Sequence, residues 1–292
     1  MARILIHLPL NISRTLEEML KSAGQAMGKK NGLQVEVVRN PSQSDTAAGE
    51  NEKAADIPDM VIGHIDYFSK RSDRFLETNF QSLPGRFPMR SELASPGFGD
   101  DRGYFHPFTI IPFAIFANPE MLSDGDCPHV WEDLADICWK GKIVIPDEQH
   151  MATKMIRAFM KTEYPEKYDQ FRANLVNEGG PLNVVNAVDE SRYPLGITNI
   201  TFARISGNKK IRLLWPEDGF FCMPQIMAFR KGADERLLEI GDFLMSQEVQ
   251  DYLALQTFVP VSPKVAIPEI LLAHDFSLRW KSWPAFLQAI NN

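Results

Sequence analysis

Four of the chain's six histidines, His7, His64, His106 and His150, fall in short segments expected after strands or at the start of a crossing, and carboxylates lie in or beside the same region. Asp66 lies just after His64, Asp147 and Glu148 just before His150, and Glu217 and Asp218 form a further acidic pair. Imidazole ligates transition metals and titrates near neutral pH. A second set is uncharged: Asn11, Gln149, Thr153, Thr198, Asn199 and Thr201. Such side chains supply neutral donors and acceptors that suit an oxyanion or a small polar solute. Two readings stand. One is a metal or metal-chelate site with His7, His64 and His150 as ligands. In the other, the histidines hydrogen-bond an organic or anionic solute or are satisfied within their own loops. Catalysis has no comparable motif: Gly-x-Ser-x-Gly, the Gly-Lys-Ser/Thr phosphate loop and His-Glu-x-x-His are all missing. Glu148 near His150 is the nearest approach to an acid–base pair.

The elements that must hold these residues read as α/β. Arg3 to His7 is a short apolar strand, and Ser13 is placed to cap a helix with Leu16, Met19, Leu20 and Ala23 on its apolar face. Strands are expected at Leu33 to Val38 and Asp59 to Gly63, with a surface segment or weak helix over Gln43 to Asp56. The Pro- and Gly-rich stretch 84–103 is a long loop. Two apolar extended segments follow, Ile110 to Asn118 and Pro224 to Arg230. They flank a complete α/β unit. It has a helix near Val130 to Ala135, a strand at Lys142 to Ile145 and helices over Thr153 to Lys161 and Glu166 to Leu175. Further strands are expected at Leu195 to Thr198 and Ile211 to Trp215. Beyond them, Asp234 to Met245 and Gln247 to Gln256 read as helices, and the tail carries Phe276, Trp280, Trp283 and Phe286. In open α/β sheets ligands sit outside the carboxyl ends of strands, where helix N-termini offer free N–H groups. That rule selects the segments holding His7, Asn11, His64, Asp66, His106, Gln149, His150, Thr153, Thr198, Asn199 and Thr201.

Composition narrows the class. The chain has 292 residues, enough for two ordinary domains, with 44% hydrophobic and 24% charged residues and a net charge of −7. A broad nucleic-acid surface needs clustered Lys and Arg, and no such cluster occurs. No apolar run approaches the roughly 20 residues that span a bilayer. Cys127, Cys138 and Cys222 are odd in number and match no zinc spacing, so three free or buried thiols are expected.

Val130-Trp131-Glu132-Asp133-Leu134-Ala135, then Trp139-Lys140-Gly141-Lys142 before a strand, then Trp215-Pro216-Glu217-Asp218-Gly219 before the second extended segment, make a specific order. With Asn118 and the Phe243 to Gln250 stretch, they resemble type II periplasmic solute-binding proteins of ABC importers, close to the iron(III), thiamine and spermidine branches. The resemblance implies two α/β domains, 1–111 with 228–292 and an inserted 112–227, joined by two extended hinge crossings. It also implies an interdomain cleft that closes on a solute without turnover. Trp131 and Trp139 then read as core anchors. Asp218-Gly219 reads as a turn, its carboxylate still a ligand candidate. The iron(III) branch places a tyrosine pair after the strand that ends near Thr198. Here Asn199-Ile200-Thr201-Phe202 stands in that place, so a tyrosinate-iron centre is not expected.

The expected ligand is a small polar or anionic solute, with no certain cofactor and a bound metal ion still open. The expected partner is an ABC permease, and the chain is expected to be monomeric, without membrane insertion. Such proteins are usually exported, whereas Met1 to His7 reads as a start and a strand without the apolar core of a signal peptide. A trimmed chain would work in the periplasm or outside the cell, an untrimmed one in the cytoplasm. The rivals are a cytoplasmic enzyme on this fold and a ligand-sensing module.

Overall fold

A computed structural model describes residues 1–39, 56–122, 127–274 and 276–291. Most of the segment 43–56, expected as surface or weak helix, lies outside them. In chain order the elements begin with β1 (Ala2–His7), α1 (Leu10–Asn31), β2 (Val35–Arg39), β3 (Met60–Gly63), α2 (Asp66–Ser69), α3 (Asp73–Asn79), α4 (Ser91–Ala94) and β4 (His106–Ala117). Then come β5 (Ile143–Ile145), α5 (Met151–Glu163), α6 (Tyr168–Asn174), β6 (Leu175–Asn177), α7 (Pro181–Asp189), β7 (Leu195–Asn199), α8 (Ile200–Ala203), β8 (Arg212–Leu214) and β9 (Phe220–Phe229). The chain ends with α9 (Leu238–Leu244), α10 (Gln247–Leu255), β10 (Val259–Pro260), α11 (Glu269–Leu272), β11 (Leu278–Arg279) and α12 (Trp283–Asn291).

Two compact units result: Met1–Ile110 with Pro224–Ile267, and Ile111–Met223 with Pro268–Asn292. Strands β4 and β9 each carry the chain from one unit into the other, and a third passage follows Ile267. The expected assignment of the tail to the first unit is thereby corrected. The reason is packing. Leu278 and Arg279 pair in parallel with Phe220 and Phe221, and Phe286 lies 6.0 Å from the Phe159 ring.

In the first unit β1 lies between β2 and β3, all parallel, and β3 pairs antiparallel with β9. The apolar alternation of β1 buries Ile4 and Ile6, and Leu16 and Leu20 on one face of α1 are buried as well. Helix α1 starts earlier than Ser13. Pro9 occupies its cap, and the Ser13 hydroxyl bonds back to the Leu10 carbonyl at 3.3 Å. A cluster of Phe68, Phe80 and Phe105, ring centroids about 5 Å apart in edge-on contact, closes the core beyond β3.

His106 is corrected here. The strand expected from Ile110 begins sooner, and His106 opens β4 as a buried residue packed on Phe87 and Phe229. It belongs to the core of this unit, and burial lowers its pKa from 6.5 to about 4. The unfolded chain takes up a proton near pH 6.5, whereas the folded chain resists until about pH 4. Stability from this group is therefore present above pH 6.5 and is lost as pH falls from 6.5 to 4. The full loss is about 3 kcal/mol. Urea unfolding at pH 7 and pH 4.5 should show most of that loss in the parent and little of it in His106→Gln. Equal pH dependence in the two proteins would show that this buried imidazole is not the source.

In the second unit β5 lies between β6 and β7, all parallel, and β4 pairs antiparallel with β7. The Trp131-Glu132-Asp133-Leu134-Ala135 motif forms a tight 3-10 turn rather than an α-helix. Asp133 Oδ2 accepts the His129 and Val130 N–H groups, which tightens that turn. Trp131 is fully buried, as expected of an anchor, and donates Nε1–H to the Gly219 carbonyl at 2.8 Å. Cys127, Cys138 and Cys222 are free thiols, and burial pushes the Cys222 thiol up. No helix of the described residues is long and apolar enough to cross a membrane.

Candidate functional site

Parallel pairing aligns His7 with Gly63, so the carboxyl ends of β1 and β3 lie side by side. The chain leaves β1 into α1 and β3 into α2, which brings His7, Asn11, His64 and Asp66 to one edge of the first unit. His7 Nδ1 lies 2.8 and 2.9 Å from the two Asp66 oxygens. The His7 and His64 rings meet edge-on at 4.7 Å. His64 is buried, its N–H bonds the His7 carbonyl at 2.8 Å, and its Nδ1 lies 3.1 Å from Gln225 Nε2. Burial by itself would raise the Asp66 pKa. The His7 hydrogen bond and the charges of His7 and His64 outweigh it and hold the carboxyl below its ordinary range. Both polar atoms of the Asn11 amide are buried with no hydrogen-bond partner among the described residues. Gly63 makes this close approach possible: its φ is +124°, and a Cβ there would lie 1.8 Å from the His7 carbonyl oxygen.

Gln225 was anticipated only as part of a crossing segment. The one amide within the apolar run Pro224 to Phe229 was the available signal. It is fully buried in β9, and antiparallel pairing sets its neighbour Ile226 opposite Gly63. It therefore braces His64 from the adjoining strand.

In the second unit the carboxyl ends of β5 and β7 share an edge. Thr198 is fully buried with its hydroxyl unpartnered. Asn199 ends β7 and caps α8, accepting the Phe202 N–H at 3.4 Å, while Thr201 is half-buried in that short helix. His150 caps α5 through Nδ1, which accepts the Ala152 N–H at 3.2 Å. Thr153 turns inward. Its hydroxyl donates to the Pro146 carbonyl at 2.8 Å and fastens the strand end to the helix. Gln149 sits exposed in the preceding turn.

Asp218 belongs to a different arrangement. Its carboxylate pairs with Arg279, accepts the Tyr164 hydroxyl at 2.8 Å and accepts the Trp131 N–H at 3.3 Å. Those partners hold the start of β9 to the tail, which gives Asp218 a fastening role within this unit. Burial and Asp218 push the Tyr164 hydroxyl up to about 12, against the opposing charge of Arg279.

Among the described residues no group of three or more His, Cys, Asp and Glu side chains is arranged to hold a metal ion. His7 and His64 stand in the first unit and His150, spent on a helix cap, in the second. The metal reading of these three therefore gains no support from either unit by itself. The residues after β7 are Ile200, Thr201 and Phe202, with no phenol among them, and Tyr193 precedes the strand.

Residues 55–287 match the model of the bacterial extracellular solute-binding protein family, and the chain belongs to that family. A comparison with curated proteins finds no match. Among solved structures, the apo ferric ion-binding protein A of Pasteurella haemolytica is 18% identical over 99% of this chain and 93% of its own, with a TM-score of 0.72. The ferric binding protein of Campylobacter jejuni is 14% identical over 99% and 96%, with a TM-score of 0.75. A Trichodesmium protein in complex with iron and citrate is 18% identical over 99% and 94%, at 0.69. At these identities the likeness establishes the fold, that of type II periplasmic binding proteins. The protein is a solute-binding protein.

Proposed function

We propose that the protein captures a small polar or anionic solute outside the cytoplasm and delivers it to an ABC-type permease without chemical change. The observation that carries this reading is the first unit's edge, where Asp66 holds His7, Gln225 braces His64 and the Asn11 amide is buried without a partner. A buried amide that no protein group satisfies costs about 1–3 kcal/mol, a cost that a solute with matching polar groups would relieve. Asp66 engages His7 Nδ1, so Nε2 is the ring nitrogen offered to a solute. At the second unit's own edge, Thr198 and Asn199 present neutral groups where phenolates would stand, which favours an oxygen-rich solute, free or as a metal chelate, over bare iron(III).

Native mass spectrometry of freshly purified protein should reveal a retained solute, and calorimetry with that compound should give saturable one-to-one binding without consumption. Thr198→Val is the discriminating variant because it keeps the shape and deletes only the unpartnered hydroxyl. Affinity should fall about tenfold while the ligand-free protein becomes no less stable. Steady consumption of the compound, or undiminished affinity in Thr198→Val together with Asn199→Ala, would overturn this reading.

A further inference from the structure

Helix α5 runs from the His150 cap at the carboxyl-end edge of the second unit to Glu163, 13 residues and thus about 20 Å away. At that far end lies a cavity of about 400 Å³. Phe159, Phe221, Trp280 and Phe286 supply its aromatic walls. Phe159 stacks on Phe221 at 4.8 Å and 19°, and Trp280 meets Phe286 at 5.1 Å. Helix α12 turns one face to it, and that face carries Ala285 and Ala289 one turn apart. Two larger apolar residues there would fill the space, so the volume follows from the sequence of the helix.

The polar end of the cavity is electrically closed. Glu163 pairs with Arg279 Nη2 at 3.1 Å and with Lys281 Nζ at 2.7 Å, and Asp218 pairs with Arg279. Two carboxylates meet two cations, leaving no net charge to attract an ion. A charged ligand would have to dissolve one of these pairs. An uncharged ring needs only face and edge contacts with the walls, each worth about 0.5–1.5 kcal/mol beyond its buried area. The volume also falls within the usual span of small-molecule sites, about 300–1,000 Å³.

We propose that this cavity is a second binding site, separate from the solute edge, that takes an uncharged aromatic compound of one or two rings. Indole and 2-naphthol are suitable probes, titrated by calorimetry and by saturation-transfer NMR, with benzoate and benzylammonium as charged controls. Saturable one-to-one binding is expected for the neutral probes, and binding at least about tenfold weaker for the charged ones. Ala285→Leu should fill the cavity, leave the melting temperature equal or higher, and weaken both neutral probes by at least about tenfold. Trp280→Ala, which removes a wall instead, should weaken them comparably. Failure of indole and 2-naphthol to saturate at concentrations on the order of 1 mM would overturn the proposal. So would binding that survives both substitutions, or charged probes that bind as well as neutral ones.

Discussion

Replacing Trp131 with alanine should destabilise the second unit by about 3–5 kcal/mol, the range for deleting a fully buried large aromatic. The indole is fully buried, lies 4.4 Å from the Phe221 ring and donates to the Gly219 carbonyl at 2.8 Å. Its removal opens a cavity and orphans that carbonyl at the turn leading into β9. For a protein of this size the loss corresponds to a fall in melting temperature of roughly 10 °C. Trp131→Phe separates the two contributions. It keeps a ring against Phe221 but deletes the hydrogen bond and part of the indole's volume, so its cost should fall below that of Trp131→Ala, at about 2–3 kcal/mol. Calorimetric melting of both variants checks this. A Trp131→Ala protein that melts within about 2 °C of the parent would show that the indole is no anchor.

The anchoring role of Trp131 is legible from the resemblance that its motif carries, although the motif reads as a helix and forms a 3-10 turn. The strands Asp59 to Gly63 and Leu195 to Thr198 were legible too, since continuous apolar runs of that length mark buried parallel strands. The first-unit site residues were placed by the same logic: His7, His64 and Asp66 follow strands, and parallel pairing brings them together. What failed depended on long-range partners. Asp218 and Gly219 read as a turn before the crossing strand and form one, but nothing in the spacing announces the partner Arg279, 61 residues away. The tail's aromatics could have packed on either unit. Pairing of β11 with β9 and the fit of α12 to α5 decide the matter, and both are tertiary choices. His106 was read as a loop residue because glycines and prolines dominate the preceding stretch, yet the strand simply begins at the histidine. Gln225 was hidden in the opposite way, as one amide in an apolar run, where patterning argues only for a strand. At the start of α5 the Thr153 hydroxyl and the His150 Nδ1 atom are taken up by the helix start that they build, a use that spacing alone does not announce.

Changing Asp66 to asparagine should weaken affinity for the retained solute by about tenfold to a hundredfold, the scale of losing one charge-assisted hydrogen bond, about 1.5–3 kcal/mol. Asp66 is a positioning residue in this scheme: it acts through His7 Nδ1 and leaves Nε2 as the group offered to the solute. The amide side chain has nearly the same shape, so packing at the start of α2 is retained and only the charge is lost. Action through His7 has a consequence that a merely structural role lacks. His7→Ala should weaken binding by at least as much, and the double variant His7→Ala/Asp66→Asn should be no worse than His7→Ala alone. The coupling in such a cycle should then nearly equal the single Asp66→Asn effect, about 1.5–3 kcal/mol. Asp66→Glu, which keeps the charge but lengthens the reach, should recover part of the affinity. Calorimetry on the four proteins of the cycle measures each quantity directly. Additive losses would mean that Asp66 and His7 serve the solute independently. No loss in either single variant would remove this edge of the first unit from the binding site altogether.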